Sequence, residues 1–118
     1  MSTKEIVYCA HSHETKIYSP AIFQFVLAKG FIPFDPFLVL PCSILELFNF
    51  NKEARLEMDL TILPRCDRLW VFSKTGIPPF TPGTTREIEK WHDLGRKEGY
   101  FTWTELFSGD LYWQPNPA

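Results

Sequence analysis

Apolar residues in this chain gather in short blocks, separated by loops rich in proline, glycine and hydroxyl side chains. Ile6-Val7-Tyr8-Cys9-Ala10 is a β-prone run that reads as the central first strand of a sheet. His11-Ser12-His13-Glu14 follows as the loop at its carboxyl end. Ser19-Pro20 opens a helix, with Ser as N-cap and Pro at the first helical position. Ile22, Phe23, Phe25, Val26 and Leu27 give that helix a broad apolar face, and Gly30 closes it as a left-handed cap residue. Phe31-Ile32-Pro33-Phe34 is a second short strand. Its proline cannot donate to a ladder, which predicts a sheet edge.

Asp35-Pro36 turns the chain out of that strand. Residues Phe37 to Phe50 are apolar but poorly periodic, and Ser43-x-x-Glu46 is a possible capping box. Asn51 then caps a helix over Lys52 to Leu63. Leu56, Leu60 and Leu63 line one face of it, with Met58 and Ile62 beside them, and Pro64 limits it. Asp67 opens a third strand that runs to Phe72. Ser73 to Pro82 is a loop stiffened by Pro78, Pro79 and Pro82. Gly83-Thr84-Thr85 starts a third helix that buries Ile88, Trp91 and Leu94 and ends near Gly95 or Gly99. Tyr100-Phe101-Thr102-Trp103 is a fourth strand, and an aromatic, proline-rich tail runs from Thr104 to Ala118.

The order β-α-β-α-β-α-β predicts a small α/β fold, a flavodoxin-like or Rossmann-like open parallel sheet of four to five strands with helices on both faces. Right-handed crossovers place ligands at the carboxyl ends of the strands. Those ends are Ala10-His11-Ser12, the Asp35 turn and the loop from Ser73 to Glu87.

Composition narrows the partners. The 118 residues form one domain (residues 1–118) with 45% hydrophobic and 22% charged residues, an ordinary globular balance. The net charge of −2 offers no basic surplus for a nucleic-acid polymer. No apolar run is long enough for a signal peptide or a membrane span. Cys9, Cys42 and Cys66 are odd in number and lack CxxC spacing, which fits reduced thiols in the cytoplasm. His11 and His13 have no third ligand at fitting spacing, so no metal site and no cofactor is expected.

The candidate chemistry lies between Leu56 and Trp91. Asp59 sits among Leu56, Met58, Leu60 and Ile62, Asp67 opens a strand, and Glu87 follows Gly83-Thr84-Thr85-Arg86. This pattern resembles the nucleoside 2-deoxyribosyltransferase superfamily, which includes deoxynucleoside 5′-monophosphate N-glycosidases. The resemblance implies that Glu87 is a nucleophile attacking the anomeric carbon of a 2-deoxyribosyl group. Asp59 would contact the base and help protonate it as it leaves. Asp67 would be mainly architectural while bordering the substrate region. Tyr8, His11 and Ser12 would line the sugar or base pocket, with Thr81, Gly83 and Thr84 flanking it. The implied partner is a small nucleoside or nucleotide, in a homo-oligomer whose interface could include Phe37 to Phe50 or the tail around Tyr112 and Trp113.

Three features differ from that family. Thr81 stands where transferases often carry an acid. The loop from His11 to Lys16 has neither Arg nor Gly to grip a phosphate, and the chain is short. Thr84-x-x-Glu87 also reads as a capping box, which would make Glu87 a helix-terminal residue only. Two functions therefore stand side by side: cleavage or transfer of an N-glycosidic bond, and a nucleoside-binding module of the same fold without chemistry.

Overall fold

A computed structural model describes residues 4–39 and 52–107. The expected helical turn at Ser43-x-x-Glu46, most of the apolar segment 37–50, Cys42 and the aromatic tail lie outside the described residues.

Four strands form one parallel sheet in the order β2-β1-β3-β4. They are β1 (Ile6–Ala10), β2 (Ile32–Phe34), β3 (Arg68–Ser73) and β4 (Gly99–Thr102). The connections carry α1 (Ser19–Ala28), α2 (Pro36–Val39), α3 (Lys52–Ile62) and α4 (Pro82–Asp93), and α5 (Trp103–Phe107) follows β4. This is the small open α/β sheet that the alternation of elements predicts. β2 is an edge strand, as Pro33 requires, and β1 is central.

Register assigns each side chain to a layer. Tyr8 pairs with Leu69 and Cys9 with Trp70 across β1 and β3. Successive residues point to opposite faces, so two cores form. Val7, Cys9, Trp70 and Phe72 pack with Ile22, Phe25 and Val26 of α1 and with Leu106 of α5. Tyr8, Ala10, Leu69 and Val71 pack with Leu63 and with Ile88 and Trp91 of α4. Aromatic edges fill the first core: Phe25 meets Phe72 at 6.0 Å and 89°, and Phe101 at 5.2 Å and 68°. Such edge-to-face pairs match the quadrupoles of the rings.

Two glycines are required by geometry. Gly30 has φ 91° and follows α1 in a Schellman motif: Gly30 N donates to Leu27 O at 2.9 Å and Phe31 N to Val26 O at 3.2 Å. Gly99 lies opposite Trp70 in register. A Cβ there would meet Trp70 Cδ1 at 3.1 Å, so the indole occupies the space a side chain would take.

Several boundaries differ from the sequence expectation. A 3₁₀ segment, His13–Tyr18, precedes α1, and Ser19 is the first residue of the helix rather than its cap. Leu94 caps α4 and is 42% exposed instead of buried. Trp103 starts α5 rather than ending β4, because Glu105 folds back to accept from Thr102 N and Oγ1. Cys9 and Cys66 are free and buried. Among the described residues, no helix is long and apolar enough to cross a membrane.

Gly30→Ala tests the cap directly. Its Cβ would meet nothing within 4 Å, so only the left-handed backbone resists the change. The expected loss is about 1–2 kcal/mol in urea denaturation, with Gly30→Asn losing less.

Candidate active site

The sheet order creates a switch point between β1 and β3, since their connections leave in opposite directions. A cavity of about 190 Å³ opens at the carboxyl ends of these two strands. Ser12 and Thr15 line it from the loop after β1, and Ser73 and Lys74 from the end of β3. Phe80, Thr81 and Thr84 line it from the entry to α4, and Trp103 closes it. Hydroxyl groups, one ammonium and flat aromatic surfaces thus converge in one recess. That mixture orients a small polar ligand while covering its apolar surface.

The entry to α4 decides how Glu87 is read. Thr81 is the N-cap, with φ −62° and ψ 156°, and Pro82 is the first helical residue. Thr81 Oγ1 accepts from Thr84 N at 3.5 Å and donates to Thr84 Oγ1 at 3.2 Å. The helix therefore begins earlier than Gly83-Thr84-Thr85, and Thr84 is not its cap. Counting from Pro82, Glu87 is the sixth residue, in the second turn. A capping-box acid occupies the third position, so capping does not explain this one. Glu87 instead belongs to a buried stripe with Thr84, Ile88 and Trp91. Thr84 touches the cavity, and Glu87 lies one turn deeper on the same face.

Asp59 reaches the same region from α3. It is 6% exposed, as is Glu87. Tyr8 of β1 has no exposed surface at all. Its phenol is held well above its ordinary pKa, first by burial and then by the charges of Glu87 and Asp59. Glu87 lies near enough to act as a hydrogen-bond acceptor for the phenol, though without the tight geometry of an ordinary bond. Three acidic side chains from β1, α3 and α4 thus lie within electrostatic reach of one another. Burying carboxylates is costly unless their surroundings are arranged for them, and a neutral phenol offers a donor to a carboxylate. Chemically, such a group can hold one carboxylate ionised while a second carries a proton.

His11 does not line the cavity. It is 4% exposed, and its Nε2 lies 2.8 Å from Asp35 Oδ2. Its Nδ1 lies 2.9 Å from Thr15 Oγ1, whose own proton goes to Ser12 O at 2.8 Å. Both ring nitrogens are thus engaged, one by a carboxylate and one by a hydroxyl. Asp35 Oδ1 also accepts from Phe37 N at 2.9 Å. This buried pair ties the end of β1 to the end of β2 and fixes Thr15, and through it Ser12, on the cavity wall.

The remaining candidates are spread out. Asp67 lies at the amino end of β3, where Oδ2 accepts from Ile6 N at 2.8 Å and its own N donates to Ile6 O at 2.9 Å. It sets register at the edge opposite the crevice and touches no part of the cavity. Gly83 is partly buried in the first turn of α4. Thr15, Lys74 and Trp103 were not singled out by sequence. Only the position of Lys74 just past β3 could have flagged one of them. Among the described residues no group of three or more His, Cys, Asp or Glu side chains could hold a metal ion.

Compared with known proteins, the sequence matches no family model and no curated relative. The reading of this site therefore rests on its own geometry.

Two outcomes follow. The stability that depends on a neutral Tyr8 is fully present below pH about 10, where the unfolded phenol is also protonated, and is lost as pH rises past it. Urea midpoints of the wild type should therefore fall above that pH, and those of Tyr8→Phe should fall less. Removing one member of the buried pair, as in His11→Leu, should cost roughly 3–5 kcal/mol. The double change His11→Leu with Asp35→Leu should recover part of that loss in the same denaturation assay.

Proposed function

We propose that this protein cleaves or transfers the N-glycosidic bond of a 2-deoxynucleoside or a related nucleotide. The observation that carries this reading is the burial of Asp59 and Glu87, from separate helices, within electrostatic reach of the buried hydroxyl of Tyr8. This group lies one helical turn below the hydroxyl-lined cavity at the switch point. The failure of the capping-box explanation for Glu87 supports it further.

In this reading a Glu87 oxygen attacks the anomeric carbon. The bond to the base breaks, its electron pair goes to the base nitrogen, and Asp59 supplies the proton. An oxocarbenium-like transition state gains from an ionised carboxylate beside it. Tyr8 holds Glu87 in place by facing it with a neutral donor. Water or a second base then attacks the same carbon, gives its proton back to Asp59, and Glu87 leaves as a carboxylate. The hydroxyls of Ser12, Thr15, Ser73 and Thr81 suit a sugar, and Phe80 or Trp103 suits a planar base.

One observation favours a second reading. Asp59 and Glu87 are both buried, and neither lines the cavity. A binding module would use the cavity alone and perform no chemistry.

The test incubates the protein with 2-deoxynucleosides and their 5′-monophosphates, with and without a second free base, and separates the products by chromatography. Released base or new nucleoside is expected from the wild type, with none from Glu87→Ala. Asp59→Asn should slow release by about 10²–10⁴-fold. No turnover, together with a thermal shift on adding the same compounds, would replace the enzyme with the binder.

A further inference from the structure

The outer surface of α3 and α4 carries an unusual arrangement of charge. Glu53 and Glu57 stand four residues apart on α3, and Arg86 and Lys90 stand four apart on α4. Residues at this spacing share one stripe of a helix. All four are exposed, and they line opposite walls of one groove of about 670 Å³. One wall is acidic and the other basic. Among the described residues the ion pairs are His11–Asp35, Arg68–Glu5 and His92–Glu98, so none of the four joins one. Leu56 and Leu60, both partly buried, form an apolar floor between the walls.

The groove has a definite symmetry. α3 leads from β2 to β3 and α4 from β3 to β4 in an all-parallel sheet, so both helices run back from the carboxyl to the amino ends of the strands. They are therefore roughly parallel to each other. A half-turn about an axis in the interface plane, parallel to the helices, turns one groove to face the other and exchanges the two walls. The acidic stripe of one copy then lies parallel on the basic stripe of the other, twice over. A two-fold interface must be self-complementary in this way.

We propose that the α3–α4 groove is a homodimer interface, closed by the pairing of Glu53 and Glu57 of each copy with Arg86 and Lys90 of the other. A polyanion would be repelled by the acidic wall and a polycation by the basic one, whereas a second copy satisfies both. Exposed ion pairs are individually weak, so the apolar floor supplies attraction while the charges fix orientation and exclude other registers. This inference is independent of the proposed chemistry.

Sedimentation equilibrium of the full chain over a range of concentrations tests it. A dimer is expected, weakened by salt at roughly 0.5 M, where surface charges are screened. Glu57→Lys places two lysines against each other at the interface, and Lys90→Glu places two glutamates. Each variant alone should dimerise at least about tenfold more weakly, with unchanged circular dichroism. Mixing the two variants creates a heterodimer in which both pairs are again opposite in sign, and association should return to near the wild-type strength. A wild type that stays monomeric would give the groove to another occupant and overturn the proposal. So would a dimer indifferent to both substitutions, or a mixture no stronger than its components.

Discussion

The pairing of β1 with β3 is the constraint on which the rest of this structure depends. Asp67 and Ile6 exchange hydrogen bonds at its amino end, and from there each residue of β1 has a fixed neighbour in β3. A slip of one position would move every side chain to the other face. Tyr8 would leave the layer shared with α3 and α4, and Cys9 would enter it. The meeting of Tyr8 with Asp59 and Glu87 is therefore a consequence of register first and of helix packing second. The same pairing brings the ends of β1 and β3 together, which is what makes a crevice at all.

Two buried polar groups lie near that crevice, and they differ in kind. His11 and Asp35 form a compensated pair, with every heteroatom engaged by Thr15, Phe37 N or each other. Its effect is architectural: two loop ends are held together where parallel strands leave their last carbonyls and amides. The group of Tyr8, Asp59 and Glu87 places two acids and a phenol together, and the charges of both acids raise the phenol. A fold that only needed packing there would gain by replacing them with apolar side chains of similar size. Their presence in a layer otherwise built from Leu63, Leu69, Val71, Ile88 and Trp91 is the strongest physical sign of a site in the described chain.

Much of the fold was legible in the sequence because it is written in local signals. The apolar runs of β1 and β3, Pro33 at an edge, the left-handed Gly30 and the stripe of α3 each follow from a few neighbouring residues. The errors came where local signals compete. Thr84-x-x-Glu87 imitates a helix start, but Thr81 caps the helix three residues before Thr84 and puts Glu87 in the second turn. Trp103 has strand propensity, but the Glu105 contact to Thr102 begins a helix there. The site was only half legible. Asp59 and Glu87 could be named, whereas His11 looked like a pocket residue because its partner Asp35 lies 24 positions away. No local pattern reports such a pair. Lys74 and Trp103 reach the cavity from separate elements, and only the assembled sheet brings them together.

The depth of the two carboxylates bears on how the site would work. Glu87 and Thr84 share one helical stripe, yet only Thr84 borders the cavity. A ligand held by the hydroxyls would therefore sit one turn away from Glu87. Chemistry would require it to press deeper, or require α4 to shift along the sheet. Thr81 holds the first turn of α4, accepting from Thr85 N through its carbonyl at 2.9 Å and from Thr84 N through its hydroxyl at 3.5 Å, and the loop before it is anchored by Phe80 stacking on Tyr100 at 5.7 Å. Tyr8 is held in the central strand by pairing on both sides, so any adjustment that brought a ligand to Glu87 would fall on the first turn of α4 and not on the sheet.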